Sequence, residues 1–352
     1  MRYLYAAAAL IILGAGAGLG CGGPAPGRAS GAAEPMSGSQ APPGAKAPPP
    51  SGPVDWARAK VDESGLVPIL EYHNIRKGRT PYDRSPAQFR KDLEVLYREG
   101  YRPVSLRDYL DNRIDVPLGT SPIVLTFDDS SPTQFRYQAD GTVDPDCAYG
   151  ILKAFHDLRP DFPMRGVFYM NASPTGRPAP VFGDQATAAK KVNELLAVGM
   201  EVGNHTVTHP RLKRLSDAAV QKELADCAAA IHALAPQATV DTLALPFGMW
   251  PRNRKLAEAG ESGGVQYRNR AVLLVGANPA LAPGAPRWDP LRLPRVQAYS
   301  GEMGSDYWLA QLRRHPGMRY ISDGDPGAVT VPKARAARID PARTGAAKLR
   351  TY

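Results

Sequence analysis

Hydrophobic and polar positions alternate in two distinct rhythms from residue 65 onward. Short apolar runs bounded by turn residues read as buried strands: VPILEYH at 67–73, IVLTFDD at 123–129, RGVFYMN at 165–171, GMEVGNH at 199–205, TLALPFG at 242–248 and AVLLVG at 271–276, with LRLPRV at 291–296 as a further candidate. Between them lie stretches with helical spacing. SPAQFRKDLEVLYREGY (85–101) carries Ser85 and Gln88 as a capping box, Pro86 in the first turn, Gly100 as a stop, and Phe89, Leu93, Leu96 and Tyr97 on one face. Helices are also expected near 146–158 and 184–198, over DYWLAQLRRH (306–315), and after Ser216, where Val220, Leu224, Cys227, Ile231 and Leu234 form a buried stripe. Strands alternating with helices predict an α/β fold. At about seven repeats a distorted (β/α) barrel of parallel strands is favoured over an open sheet, in a single catalytic domain at 65–322.

The flanks differ. Arg2, the apolar run at 4–13 and the ending GLGC read residues 1–21 as a secretory signal with Cys21 at the cleavage point. Residues 22–53 are nearly all Pro, Gly, Ala and Ser, so a disordered tether is expected over 22–64; its 32 most biased residues would reach at most roughly 100 Å if extended. The net charge is +9, and the last segment, 333–352 within the basic C-terminal stretch 323–352, contains much of the basic excess. In an exported protein this reads as a solvated basic tail rather than a nucleic-acid binder. Of three cysteines, Cys21 belongs to the signal, Cys227 to a helix core, and a Cys147–Cys227 disulfide is an open alternative.

Candidate chemistry gathers at strand ends. His73 ends EYH, Asp128 and Asp129 end TFDD, His205 and His209 stand four apart in GNHTVTH, and Pro246 and Phe247 lie in LPFG. In a parallel barrel the loops after the strands converge on one mouth, which would bring these together. Singly, each has an ordinary reading as a turn, a cap or a scaffold residue. Jointly, two imidazoles and a carboxylate make a three-ligand set that leaves a zinc-like ion one open position for water, and a second carboxylate can take that water's proton. His156, His232 and His315 fall on or near helices and read as scaffold. The loop 130–145 after the TFDD strand is an ordinary insertion or a wall of the site.

TFDD, then HTVTH, then LPFG resemble the successive motifs of the polysaccharide deacetylases, carbohydrate esterase family 4, and VPILEYHNI resembles the opening strand of an exported subgroup. The resemblance spans roughly residues 65–322. It implies Asp128 as catalytic base, Asp129, His205 and His209 as holders of one divalent metal ion, zinc or else cobalt or nickel, and the backbone N–H of Phe247, in the Pro246-Phe247 turn, as a substrate contact at the oxyanion. Two family features are absent. Leu243 occupies the place of an arginine before the Pro-aromatic turn, for which Arg295 is the candidate substitute, and the stretch 291–299 lacks the late histidine acid, for which His73 is the candidate. The implied partner is an acetylated amino-sugar polysaccharide or oligosaccharide, which would lose acetate. GLGC resembles a bacterial lipoprotein signal, with Gly18 where leucine is usual, implying lipidation at Cys21 and a membrane-anchored envelope protein. The alternatives are an inactive carbohydrate-binding protein on the same fold and an O-acetyl esterase.

Overall fold

The computed structural model describes residues 54–176 and 180–352; the signal, Cys21 and most of the tether lie outside the described residues. Its strands are β1 (Ile69–Tyr72), β2 (Asn74–Ile75), β3 (Asp83–Arg84), β4 (Tyr101–Pro103), β5 (Ser121–Phe127), β6 (Val167–Met170), β7 (Glu201–Asn204), β8 (Thr242–Ala244), β9 (Ala259–Ser262), β10 (Val265–Arg268), β11 (Ala271–Leu273), β12 (Val296–Gln297), β13 (Ala328–Val331) and β14 (Lys348–Thr351). The helices are α1 (Pro86–Arg98), α2 (Leu106–Leu110), α3 (Ala148–Leu158), α4 (Gln185–Ala197), α5 (Asp217–Leu234) and α6 (Ser305–Arg314).

Seven parallel strands run side by side in the order β11-β8-β7-β6-β5-β1-β12, and β4 pairs with the start of β5. The two ends of this row meet through Leu293, whose N–H donates to Val272 O at 3.0 Å while its carbonyl accepts from Leu274 N at 2.9 Å. The expected barrel is therefore present, closed by an irregular segment instead of a full strand pair. The capping box of α1 forms as read, with Ser85 and Gln88 satisfying each other's backbone N–H groups.

Strand alternation sorts the two faces. Leu70, Tyr72, Leu125, Phe127, Phe168 and Met170 pack outward against α1, α3, α4 and α5. Residues of opposite parity point inward, and three registers align them: Ile69 beside Val124, Glu71 beside Thr126, and Thr126 beside Val167. The interior is apolar at Ile69 and Val124, and turns polar two residues further along the strands at Glu71 and Thr126. Just past the ends of β1, β5, β6 and β7 come His73, Asp128, Asn171 and His205. Phe127 is stacked between Phe168 at 4.7 Å and Tyr72 at 5.5 Å, which fixes the strand end from which Asp128 emerges. Gly203 is required in β7 because a Cβ there would sit 2.4 Å from the Tyr169 ring.

Two expectations fail at the flanks. Residues 54–64 are not tether: Val61 is fully buried, and Asp62 N–H donates to Ile321 O at 2.9 Å. The basic segment 323–352 is not a solvated tail, because β13 and β14 pair in parallel and Val329, Val331 and Ile339 form a small core. Alternating valines supplied an apolar face that net charge concealed. Buried Glu63 ties the two flanks together by accepting from Thr330 N at 2.7 Å and Asp323 N at 3.2 Å. Cys147 and Cys227 are separate buried free thiols: Cys147 caps α3, and Cys227 packs on α5 with its sulfur 3.2 Å from Met170 O.

Candidate metal and acid-base site

The chain turns sharply as it leaves β5, with Asp129 at φ 78° and Ser130 at φ 46°, and the carboxylates of Asp128 and Asp129 both come near His205 Nε2, at 3.8 and 3.4 Å. Asp128 points into the barrel, 1% exposed, and its two carboxylate oxygens each accept from Arg295 at 2.7 Å. Arg295 is wholly buried and is fixed from behind by Leu274 O at 2.7 Å and by Thr126 Oγ1 at 3.2 Å. Burial alone would raise the Asp128 pKa, but Arg295, His205 and His73 outweigh it and hold the carboxyl well below its usual range.

Asp129 faces the histidines. Its Oδ1 lies 3.4 Å from His205 Nε2 and 3.5 Å from His209 Nε2. Burial pushes its pKa up, and His205 and His73 pull it below the ordinary value. The histidine pair is not on a helix. Thr206 at φ 68° and His209 at φ 54° make a tight loop, held by Glu223 of α5, which accepts from Val207 N and Thr208 N at 2.9 Å each. The Asn171 amide braces the same loop through His205 O at 2.6 Å.

His205 Nδ1 lies 2.8 Å from Ala244 O, so that nitrogen carries the hydrogen and the Nε2 lone pair is left facing Asp129. This Nε2 is buried and has no hydrogen-bond partner among the described residues. One ligand atom each from Asp129, His205 and His209 lie within 4.8 Å of one another. Donors about 2.0–2.1 Å from a zinc-sized ion stand roughly 3.3 Å apart on a tetrahedron, close to the carboxylate–imidazole spacings here. The orphaned Nε2, the nitrogen-oxygen donor set and the spacing all fit one divalent cation. Without an ion, burial depresses both imidazoles; Asp128 and Asp129 reverse the effect for His205, whose pKa is raised, whereas His209 is lowered further by His205.

The remaining candidates converge on the same mouth. Phe247 has φ 57° in the turn Pro246–Gly248, and its ring is 4.5 Å from that of His209 and 47% exposed. The turn's own hydrogen bonds run from Gly248 N to Leu245 O and from Met249 N to Pro246 O, so the Phe247 N–H is not spent on them. Pro246 is buried beneath it. His73 Nε2 stands 3.6 Å from Glu71 Oε1, with the ring edge-on to Tyr82 at 4.9 Å. Leu243, in the place of an arginine, is simply core. His156 and His232 bond to the backbone carbonyls of Phe162 and Ala238, and His315 caps α6.

Residues 115–267 match the polysaccharide deacetylase family. That span covers Asp128, Asp129, both histidines and Phe247, whereas His73 and Arg295 lie outside it. A chitooligosaccharide deacetylase from Bradyrhizobium sp. (strain ANU 289) is 35% identical over 78 residues, 22% of this chain and 35% of the relative. Its namesake from Sinorhizobium fredii is 34% identical over 59 residues, 17% of this chain and 27% of the relative. The alignments thus span about a third of the length of the curated relatives. A polysaccharide deacetylase from Bacillus cereus has the same fold, with a TM-score of 0.50 at 18% identity over 70% of this chain and 69% of its own.

Two participants were missed in the sequence. Gln134 donates from Nε2 to His73 O at 2.8 Å and also to Asp128 O, so the loop 130–145 braces two strand ends, and its Phe135 is buried. Glu71 is the other. A lone acid in an otherwise apolar strand, two residues before His73 and therefore on the same face, was the available signal.

Proposed function

We propose that the protein is a metal-dependent N-deacetylase that removes acetyl groups from an acetylated amino-sugar polymer. The observation that carries this reading is the convergence of Asp129, His205 and His209 on one point beside a carboxylate, Asp128, that is held by Arg295. Asp129, His205 and His209 would hold a divalent ion, zinc on this donor set with cobalt or nickel as substitutes, and such an ion supplies a Lewis acid that acidifies water and polarises the acetyl carbonyl.

The chain's own groups then divide the work. Asp128 accepts a proton from the attacking water, and Arg295 fixes the direction of its lone pairs. The Phe247 N–H, presented by a strained turn at the mouth, stabilises the oxygen on which negative charge develops. His73 donates a proton to the departing nitrogen, so that the products are acetate and a free amine. The carbohydrate-binding alternative drew on the missing arginine and acid; Arg295 on Asp128 and His73 at the same mouth speak for turnover instead. On sequence grounds alone we also propose export and lipid attachment at Cys21 to a bacterial envelope membrane, which Cys21→Ser would abolish as a loss of membrane partitioning.

The test is acetate release from chitin-like, peptidoglycan and exopolysaccharide fragments in the presence of zinc, cobalt or nickel. Release from an N-acetylated substrate supports the proposal. Glycan binding without acetate, or release from O-acetyl esters alone, overturns it in favour of the binding protein or the esterase.

A further inference from the structure

Glu71 is a buried carboxylate for which the chemistry above has no use. It sits in the middle of β1, 1% exposed, one layer below the strand-end residues. Oε2 accepts from Gly276 N at 3.2 Å. Oε1 is buried and makes no hydrogen bond among the described residues; it lies between Arg295 Nη2 at 3.5 Å and His73 Nε2 at 3.6 Å. A carboxylate taken out of water is costly unless opposite charge compensates it. Arg295 cannot do so alone, because both oxygens of Asp128 already occupy its forked edge. Two carboxylates thus face one guanidinium, and the unsatisfied oxygen is turned toward the imidazole that the proposed reaction requires as a proton donor.

On the deacetylase reading, we infer that Glu71 is a positioning residue for proton delivery: it orients the His73 ring and supplies the negative charge beside it that an imidazolium donor needs. The steps balance. The water oxygen bonds to the acetyl carbon as one water proton passes to Asp128; the C–N bond breaks as the His73 proton passes to the nitrogen; the proton on Asp128 then returns to His73, and the second water proton leaves with the acetic acid, which ionises to acetate in solution. A change at Glu71 should therefore act where the leaving group needs a proton, and not where it can depart as an anion.

The experiment compares the metal-loaded protein on an N-acetylglucosamine oligomer, whose amine must be protonated, with 4-nitrophenyl acetate, whose phenolate leaves unaided. Glu71→Gln keeps the Gly276 contact. It should lower amide kcat by about 100-fold, the lower end for losing general acid assistance, while leaving KM, the ester rate and bound metal near wild type. His73→Gln should show the same selectivity, and the double variant should lose little more than either single one. If the Gln variant folds poorly, Glu71→Asp takes its place; it retains the charge near Arg295 but draws it back from the ring, and the same selective loss is expected. Amide and ester rates falling together, or an unchanged amide rate, would overturn this role while leaving the deacetylase reading intact. A wild-type protein that releases no acetate from any amide overturns both.

Discussion

Arg295 holds Asp128 through two hydrogen bonds of 2.7 Å, although 167 residues separate them in the chain. Arg295 lies just before β12 and Asp128 just after β5, and β1 pairs with both strands. The link between them depends on the barrel and on no local motif.

Arg295→Ala should leave Asp128 as an uncompensated buried charge, at a cost of about 3–5 kcal/mol. With its pKa depressed in the folded state, Asp128 stabilises the wild type above the ordinary carboxylate range, and this is lost only as pH falls through the depressed value. Urea midpoints should thus differ most near neutral pH and converge in acid.

Asp128→Asn retains the shape of the side chain but not its ability to take a proton. Acetate release should fall by about 100- to 10,000-fold with the metal content unchanged. Loss of metal together with activity would instead assign Asp128 to the ligand set.

Dialysis against a chelator should abolish acetate release, and zinc, cobalt or nickel should restore it. His209→Ala should lose most of the bound metal while remaining folded, since that side chain is 30% exposed at the mouth. The raised pKa of His205 adds a pH dependence: an incoming ion must displace a proton below that value and none above it. Metal affinity should therefore rise with pH, and calorimetry in buffers of different ionisation enthalpy should show proton release that fades as the pH is raised.

Deleting residues 328–352 should lower the urea midpoint substantially, because Val329 and Val331 alone each bury a side chain whose burial contributes about 1.5–3 kcal/mol. A solvated tail could be removed without effect.

The local elements were legible because each is decided by neighbours in the chain. The capping box at Ser85, the stripe along α5 and the apolar runs of β5 and β6 depend on spacing and steric preference within a few residues. The His205 and His209 pair was visible for the same reason, although its geometry comes from a loop with positive φ and not from a helical turn. Glu71 was overlooked because an acid in a strand has no local meaning; it acquires one when β1 lies between β5 and β12. The folded segment 323–352 was hidden because net charge is summed over a stretch, whereas packing selects only the residues on one face.

From sequence alone followed the alternating α/β pattern, the strand ends that carry Asp128, Asp129, His73, His205 and His209, and the proposal of one divalent ion. Tertiary structure alone decided that Arg295 serves Asp128, that Gln134 ties two strand ends, that Glu71 faces His73, and that the basic end of the chain folds back onto Val61 and Glu63. The division is physical: periodicity and capping act over a few residues, whereas a buried charge finds its partner only where strand register and barrel closure bring distant side chains together.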